Sequence, residues 1–327
     1  MTPALSFSAV AITENVRRLN ELTVDSHLSW AAAVTHLVPV GLLRDLILPV
    51  TKHASCFAVR DAEHLADAGF EKIILTGRVV DSESLGRLRR IADRTVMVAV
   101  IDHFRHAELL SQCAVQSSCE IQVLIEVDIG RQAAGVRPGQ DASLLGTAAA
   151  QLPGLRVVGV FASAHDPDAK YEPADVDAEL VKIVTIAEHA LRSIRDVSAE
   201  CREIVVSIST LRRPLLQDVR ISCLVVSPFV DFAFETPLVA LPPCVSLIAK
   251  VISRPTLEWC VIDAGTIVCG DMSDVRIHAP TGATILNSKS ECSTLQISGE
   301  ACDLRIGDPV RLTVGDSVQL LSRVRLS

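Results

Sequence analysis

The sequence predicts an α/β fold in two parts: a (β/α)8 barrel of the TIM type and a small C-terminal all-β domain. Three observations predict it. Short β-branched runs alternate with helix-period segments over roughly the first 230 residues. These runs are continuously apolar rather than alternating, as expected of strands buried on both faces of a parallel sheet. After about residue 240 the helix period stops, and prolines and glycines punctuate short strands. The expected boundaries are therefore 1–240 for the barrel and 241–327 for the β-domain.

The strand candidates of the first part are Leu28–Val34, Cys56–Val59, Ile73–Leu75, Val96–Ile101, Val123–Val127, Val157–Phe161, Ile204–Ser207 and Cys223–Val226. Eight strands with crossover helices fit a closed barrel, and a doubly wound open sheet is the runner-up. Asp61–Gly69 opens with an acid and stops at a glycine, as a helix does. Asp81–Arg90 starts from an aspartate cap, and Ala174–Ile194 carries Leu180, Ile183, Val184, Ala187 and Leu191 on one stripe. In the second part the strand candidates are Ala249–Ser253, Trp259–Ile262, Thr284–Leu286 and Thr294–Ile297, separated by turns at Gly265, Gly282, Gly299 and Gly307.

Composition narrows the function. The 31 Lys+Arg against 39 Asp+Glu leave a net charge of −8, which argues against nucleic acid as a partner. No apolar stretch reaches 18 residues, and residues 1–10 lack a basic flank, so neither a membrane span nor a secretory signal is expected. Ten cysteines without a Cys-x-x-Cys pair read as reduced core thiols, which suits a cytoplasmic protein. Neither Gly-x-Gly-x-x-Gly nor a Walker glycine-lysine loop is present. Lysine occurs six times, at 52, 72, 170, 182, 250 and 289, so chemistry that needs an amine has few candidates. Polar residues at the predicted strand ends, His36, Arg60, Thr76, Arg78, Asp102, His103, Asp128 and His165, would ring one mouth of the barrel. Such a mixed-charge mouth suits a small polar or amino-acid-like ligand.

Several segments carry a family resemblance in order and spacing: Thr2-Pro3-Ala4, Thr13-Glu14-Asn15, Ala58–Gly69, Val123–Gly130 with Gly135-Val136, Val251–Pro255 with Val261–Gly265, and Leu304–Leu312. Together they resemble the pyridoxal-phosphate enzymes of the alanine racemase architecture, in the D-threonine aldolase and D-serine dehydratase branch. The resemblance implies the barrel-plus-β-domain fold, pyridoxal phosphate as cofactor, lyase chemistry on D-3-hydroxy amino acids and a homodimer.

It also implies particular residues, and this chain departs from them. The family holds its cofactor as an imine on the lysine of a Lys-Thr-His sequence; the matching stretch here is Val34-Thr35-His36. A glycine-rich phosphate turn corresponds to Val206–Arg213, where Ser207, Ser209 and Thr210 supply hydroxyls instead and Arg212 or Arg213 a charge. Thr35 and Arg78 complete the candidate cofactor contacts. Ser163 and Ala164 stand at a Tyr-His pair, with His165 one residue later, and Ala133 and Ala134 replace an Arg and a Cys. The metal pair near the C-terminus becomes Asp316 and Val318, so no metal is expected. The reading that follows is a catalytically degenerate family member binding a small ligand or partner. The alternatives are an active lyase with a relocated lysine, Lys170, and a cofactor-independent enzyme using His36, Asp102 or His165 as acid or base.

Overall fold

The computed structural model describes residues 3–25, 28–130, 134–163, 173–195, 201–208, 221–229 and 244–314. Eight parallel strands close a barrel in the order β2-β3-β4-β5-β6-β7-β8-β9. They are β2 (Ser29–Ala33), β3 (His53–Cys56), β4 (Lys72–Leu75), β5 (Val96–Ile101), β6 (Ile121–Glu126), β7 (Leu155–Ser163), β8 (Glu203–Ser207) and β9 (Cys223–Val226). Closure is made by β9 against β2, with Ser29 opposite Cys223 and Ala32 opposite Val226. The chain between strands forms α3 (Val59–Ala68), α4 (Ser82–Ile91), α5 (Phe104–Ser117), α6 (Gln140–Ala150) and α7 (Pro173–Arg195). Ahead of them come α1 (Ala9–Asp25) and α2 (Val40–Leu42), the latter continuing into a π-helical turn, Leu43–Ile47.

The strand pattern follows from this closure. Ala31, Ile74, Val98, Leu124, Val158, Val205 and Val225, drawn from seven of the strands, pack into one apolar cluster that fills the lumen. Their strand neighbours Ile73, Leu75, Val123 and Ile125 lie on the opposite face and are fully buried too. With both faces buried, alternation disappears from the sequence.

At the N-terminal end of the lumen the filling turns polar. Lys72 opens β4 and Glu203 opens β8, four strands away around the ring, and Lys72 Nζ reaches the two Glu203 carboxylate oxygens at 3.0 and 3.2 Å. Burial, and then the nearby Lys72 ammonium, hold the His53 imidazole below its ordinary pKa.

One strand sits elsewhere than the apolar pattern predicts. The run Cys56–Val59 reads as a strand, but β3 is His53–Cys56 and Val59 already opens α3. Asp61 Oδ2 accepts the Ala58 N–H at 3.3 Å, which commits Ala58 and Val59 to the start of a helix. The true strand begins with polar His53 and includes Ser55, which is buried.

The second compact unit gathers seven antiparallel strands. They are β1 (Ala4–Phe7), β10 (Val245–Ser253), β11 (Trp259–Ile262), β12 (Arg276–Ala279), β13 (Ala283–Ser288), β14 (Ser293–Ile297) and β15 (Pro309–Thr313). The path runs β12-β15-β10-β11-β14-β13, and β1 pairs with β10 over Ala4↔Ile248 to Phe7↔Val245. No described helix is long and apolar enough to cross a membrane.

Gly159 on β7 gives a direct test of the barrel register. A Cβ there would lie 1.9 Å from the Glu203 carbonyl oxygen, a backbone atom that cannot rotate away. Gly159→Ala is therefore expected to lower stability by about 3 kcal/mol or more, read as a lower urea midpoint at an unchanged slope. An unaltered midpoint would contradict the β7–β8 pairing.

Candidate functional site

The C-terminal ends of the strands form the mouth in which barrel sites are built. Three consecutive strands, β4 to β6, deliver a charged network there. Arg78 follows β4, Asp102 follows β5 and Glu126 is the last residue of β6. Arg78 Nε donates to Asp102 Oδ1 at 3.1 Å and Nη2 to Asp102 Oδ2 at 3.0 Å, a two-point fork. Nη2 also donates to Glu126 Oε2, and Nη1 donates to the Thr76 carbonyl at 2.7 Å. Asp102 Oδ2 takes a further hydrogen bond from the Gly135 N–H at 3.2 Å.

The loop after β6 brings that amide into place. Val136 N–H donates to the Glu126 carbonyl at 2.9 Å and Asp128 N–H to the Val136 carbonyl at 2.8 Å. Gly135 sits at φ 114° with its Cα against this backbone, where a Cβ would meet Asp128 N at 2.5 Å. Only glycine fits such an approach.

The charges respond to these surroundings. Burial opposes ionisation of Asp102, but the bonds from Arg78 and Gly135 outweigh it and hold its pKa below the ordinary value. Glu126 goes the other way: burial dominates over Arg78 and raises it. Burial also opposes the Arg78 charge, and the two carboxylates more than offset this. His106, on the first turn of α5, approaches Asp102 Oδ1 to 3.0 Å through Nδ1 but without hydrogen-bond geometry. Burial lowers its pKa, and Arg78 and His103 add to that against the opposing pull of Asp102.

The end of β2 forms a second centre. Val34, the first residue beyond the strand, is 4% exposed, and its N–H continues the ladder to the Ser55 carbonyl at 2.9 Å. The Thr35 hydroxyl oxygen is buried without a hydrogen-bond partner. His36 is fixed by Asp61 of α3, whose Oδ1 accepts the His36 backbone N–H at 2.8 Å and lies 2.5 Å from His36 Nδ1. Asp61 is buried, and the imidazole–carboxylate contact resembles the orienting half of a catalytic triad. Burial, and then Asp61, push the Cys56 thiol well above its ordinary pKa, which disfavours the thiolate.

Of the residues singled out from sequence, Thr76, Arg78 and Asp102 come together in one network. Thr35 and His36 stand at the end of β2, and Ser207 ends β8. His103 is the N-cap of α5, its Nδ1 accepting the Arg105 N–H at 3.0 Å, and Asp128 Oδ1 accepts the Gly130 N–H at 2.8 Å in a turn. Arg60 is an exposed residue of α3. His165, Lys170, Ser209, Thr210, Arg212, Arg213, Asp316 and Val318 lie outside the described residues. Asp61, Glu126 and His106 were not singled out. The helix-opening role of Asp61 was legible, whereas Glu126 is hidden inside an apolar run. Among the described residues, no three of His, Cys, Asp and Glu form a group that would hold a metal ion.

Residues 8–220, more than half of the chain, match the alanine racemase N-terminal domain. The chain belongs to this family. The D-threonine aldolase of an Arthrobacter species is 27% identical to it over 203 residues, 61% of this chain and 53% of that protein. The chain thus matches about half the length of that curated relative. Among solved structures, D-threonine aldolase from Filomicrobium marinum superposes with a TM-score of 0.82 at 21% identity, over 99% of this chain and 90% of that one. D-threo-3-hydroxyaspartate dehydratase from Delftia sp. HT23 gives 0.73 at 16% identity, over 98% and 92%. At these identities the structural likenesses establish the alanine racemase-like fold.

Glu126 makes the mouth testable by pH. Its folded-state pKa is raised, so its contribution to stability is fully present below the unfolded value and is lost as pH rises through the folded one. Glu126→Gln removes that titration. Urea unfolding across the acidic range is expected to show the native chain losing stability relative to the variant through this window, and parallel curves would contradict the assignment.

Proposed function

We propose that this member of the alanine racemase-like family has lost imine chemistry and uses its barrel mouth to bind a small polar ligand. The reading rests on Val34, a buried hydrocarbon side chain in a Val34-Thr35-His36 stretch that resembles the family's Lys-Thr-His sequence. Capture of the pyridoxal aldehyde requires a primary amine that exchanges with substrate, and valine has none.

The other described lysines support the same reading. Lys52 precedes β3 and Lys72 opens β4, both at the N-terminal end of the barrel, and the Lys72 ammonium is engaged by Glu203. Lys182 is on α7, Lys250 is on β10, and Lys289 follows β13. The described residues of the mouth therefore do not fit a covalently held pyridoxal phosphate. What they offer instead is two polar groups near the strand ends, the His36–Asp61 pair and the Arg78–Asp102–Glu126 network. Such a set orients a small ligand by hydrogen bonds without a bond to carbon.

Titration with pyridoxal phosphate tests this reading. No saturable imine band is expected in the visible range, and borohydride is expected to fix no stoichiometric adduct detectable by mass spectrometry. A one-to-one band that disappears in Lys170→Ala would overturn the proposal in favour of an active lyase on D-3-hydroxy amino acids.

A further inference from the structure

The hydrogen-bond inventory of the mouth shows which ligand charge it has room for. A guanidinium has five N–H donors, and the two edges that grip an anion are its Nε/Nη2 and Nη1/Nη2 pairs. In Arg78 the first edge is filled by Asp102, at 3.1 and 3.0 Å. On the second edge Nη1 is given to the Thr76 carbonyl at 2.7 Å and Nη2 to Glu126. Four of the five donors are thereby committed, and neither edge is open to an incoming carboxylate or phosphate.

The acceptors tell the opposite story. Asp102 is well matched, with Oδ1 taking Arg78 Nε and Oδ2 taking both Arg78 Nη2 and the Gly135 N–H. Glu126 receives only Arg78 Nη2, on Oε2. Its Oε1 has no hydrogen-bond partner among the described residues and is reached by solvent, although the side chain as a whole is only 10% exposed. Among the described residues two carboxylates share one guanidinium at the ends of β4 to β6, which leaves one negative charge in surplus within this network. The neighbouring His106 Nδ1 is buried without a hydrogen bond, 3.0 Å from Asp102 Oδ1.

We propose that this part of the mouth takes a ligand carrying a primary ammonium group, seated on Glu126 Oε1, in preference to a carboxylate or phosphate. The inference rests on the reading of the barrel mouth as a ligand site and gives that ligand its charge. An ammonium is a compact donor of three N–H groups, so it satisfies Oε1 by a charge-assisted bond and neutralises the surplus charge without displacing Arg78.

The test uses ethanolamine, sodium acetate and sodium phosphate as probes, titrated into the full chain at neutral pH and constant ionic strength. Ethanolamine is expected to bind saturably while acetate and phosphate do not. Glu126→Gln is expected to weaken ethanolamine about tenfold or more, the loss of roughly one charge-assisted hydrogen bond. Because that substitution removes a partner of Arg78, a second readout uses the unmodified protein: with carbon-13-labelled glutamate, one side-chain carboxyl resonance is expected to shift on titration with ethanolamine. Acetate or phosphate binding with ethanolamine silent would overturn the inference and leave the ligand-site reading intact. No binding by any probe would overturn both. Ethanolamine binding of equal strength in folded Glu126→Gln, or without a glutamate carboxyl shift, would overturn the inference alone.

Discussion

The Arg78 guanidinium ties together the C-terminal ends of three neighbouring barrel strands. It leaves the loop after β4, forks onto Asp102 beyond β5 and reaches Glu126 at the end of β6. Each partner is largely buried, so each charge depends on the others for its solvation. Burial raises Glu126 and opposes the charge of Asp102 too, and the opposing pKa directions reflect how many bonds offset it. Asp102 takes two from Arg78 and one from Gly135, whereas Glu126 takes one. At the other end of the same lumen, Lys72 and Glu203 make the corresponding closure, with an apolar plug between.

This division of charge bears directly on function. Lys72 is held by Glu203 at the N-terminal end, and Arg78 is consumed by carboxylates at the C-terminal end. Val34 is buried just beyond the end of β2. The chain thus combines its family's scaffold with a mouth whose described polar groups are arranged for hydrogen bonding. His36, held by Asp61, adds an oriented imidazole to that set. A shared fold places side chains but does not supply them, so the reading follows the residues rather than the architecture.

Much of the barrel was legible because burial on both strand faces writes continuous apolar runs. β5 and β9 coincide with their sequence-derived limits, and the stripe on α7 matches the helix Pro173–Arg195. The pattern failed where polar residues enter a strand, as His53 and Ser55 do in β3, since an apolar count then slides the strand toward Val59. β1 was also hidden: four residues pair antiparallel with β10, some 240 positions away, and no local periodicity announces such a contact. In the site, Arg78 and Asp102 stood out because they follow strands. Glu126 did not, because an acid closing the run Ile121–Ile125 looks like a strand end rather than a partner for an arginine two strands away. Asp61 was visible as a helix-opening acid, but its bond to His36 joins residues 25 positions apart.

The central claim is that hydrogen-bonded charge, and no imine, organises this barrel mouth. A crystal structure of the protein grown at saturating pyridoxal phosphate tests it most directly. The account predicts Arg78 still forked onto Asp102 and no covalent density between any lysine and the aldehyde carbon. Continuous density from a lysine Nζ to that carbon, at the mouth of the barrel, would contradict it.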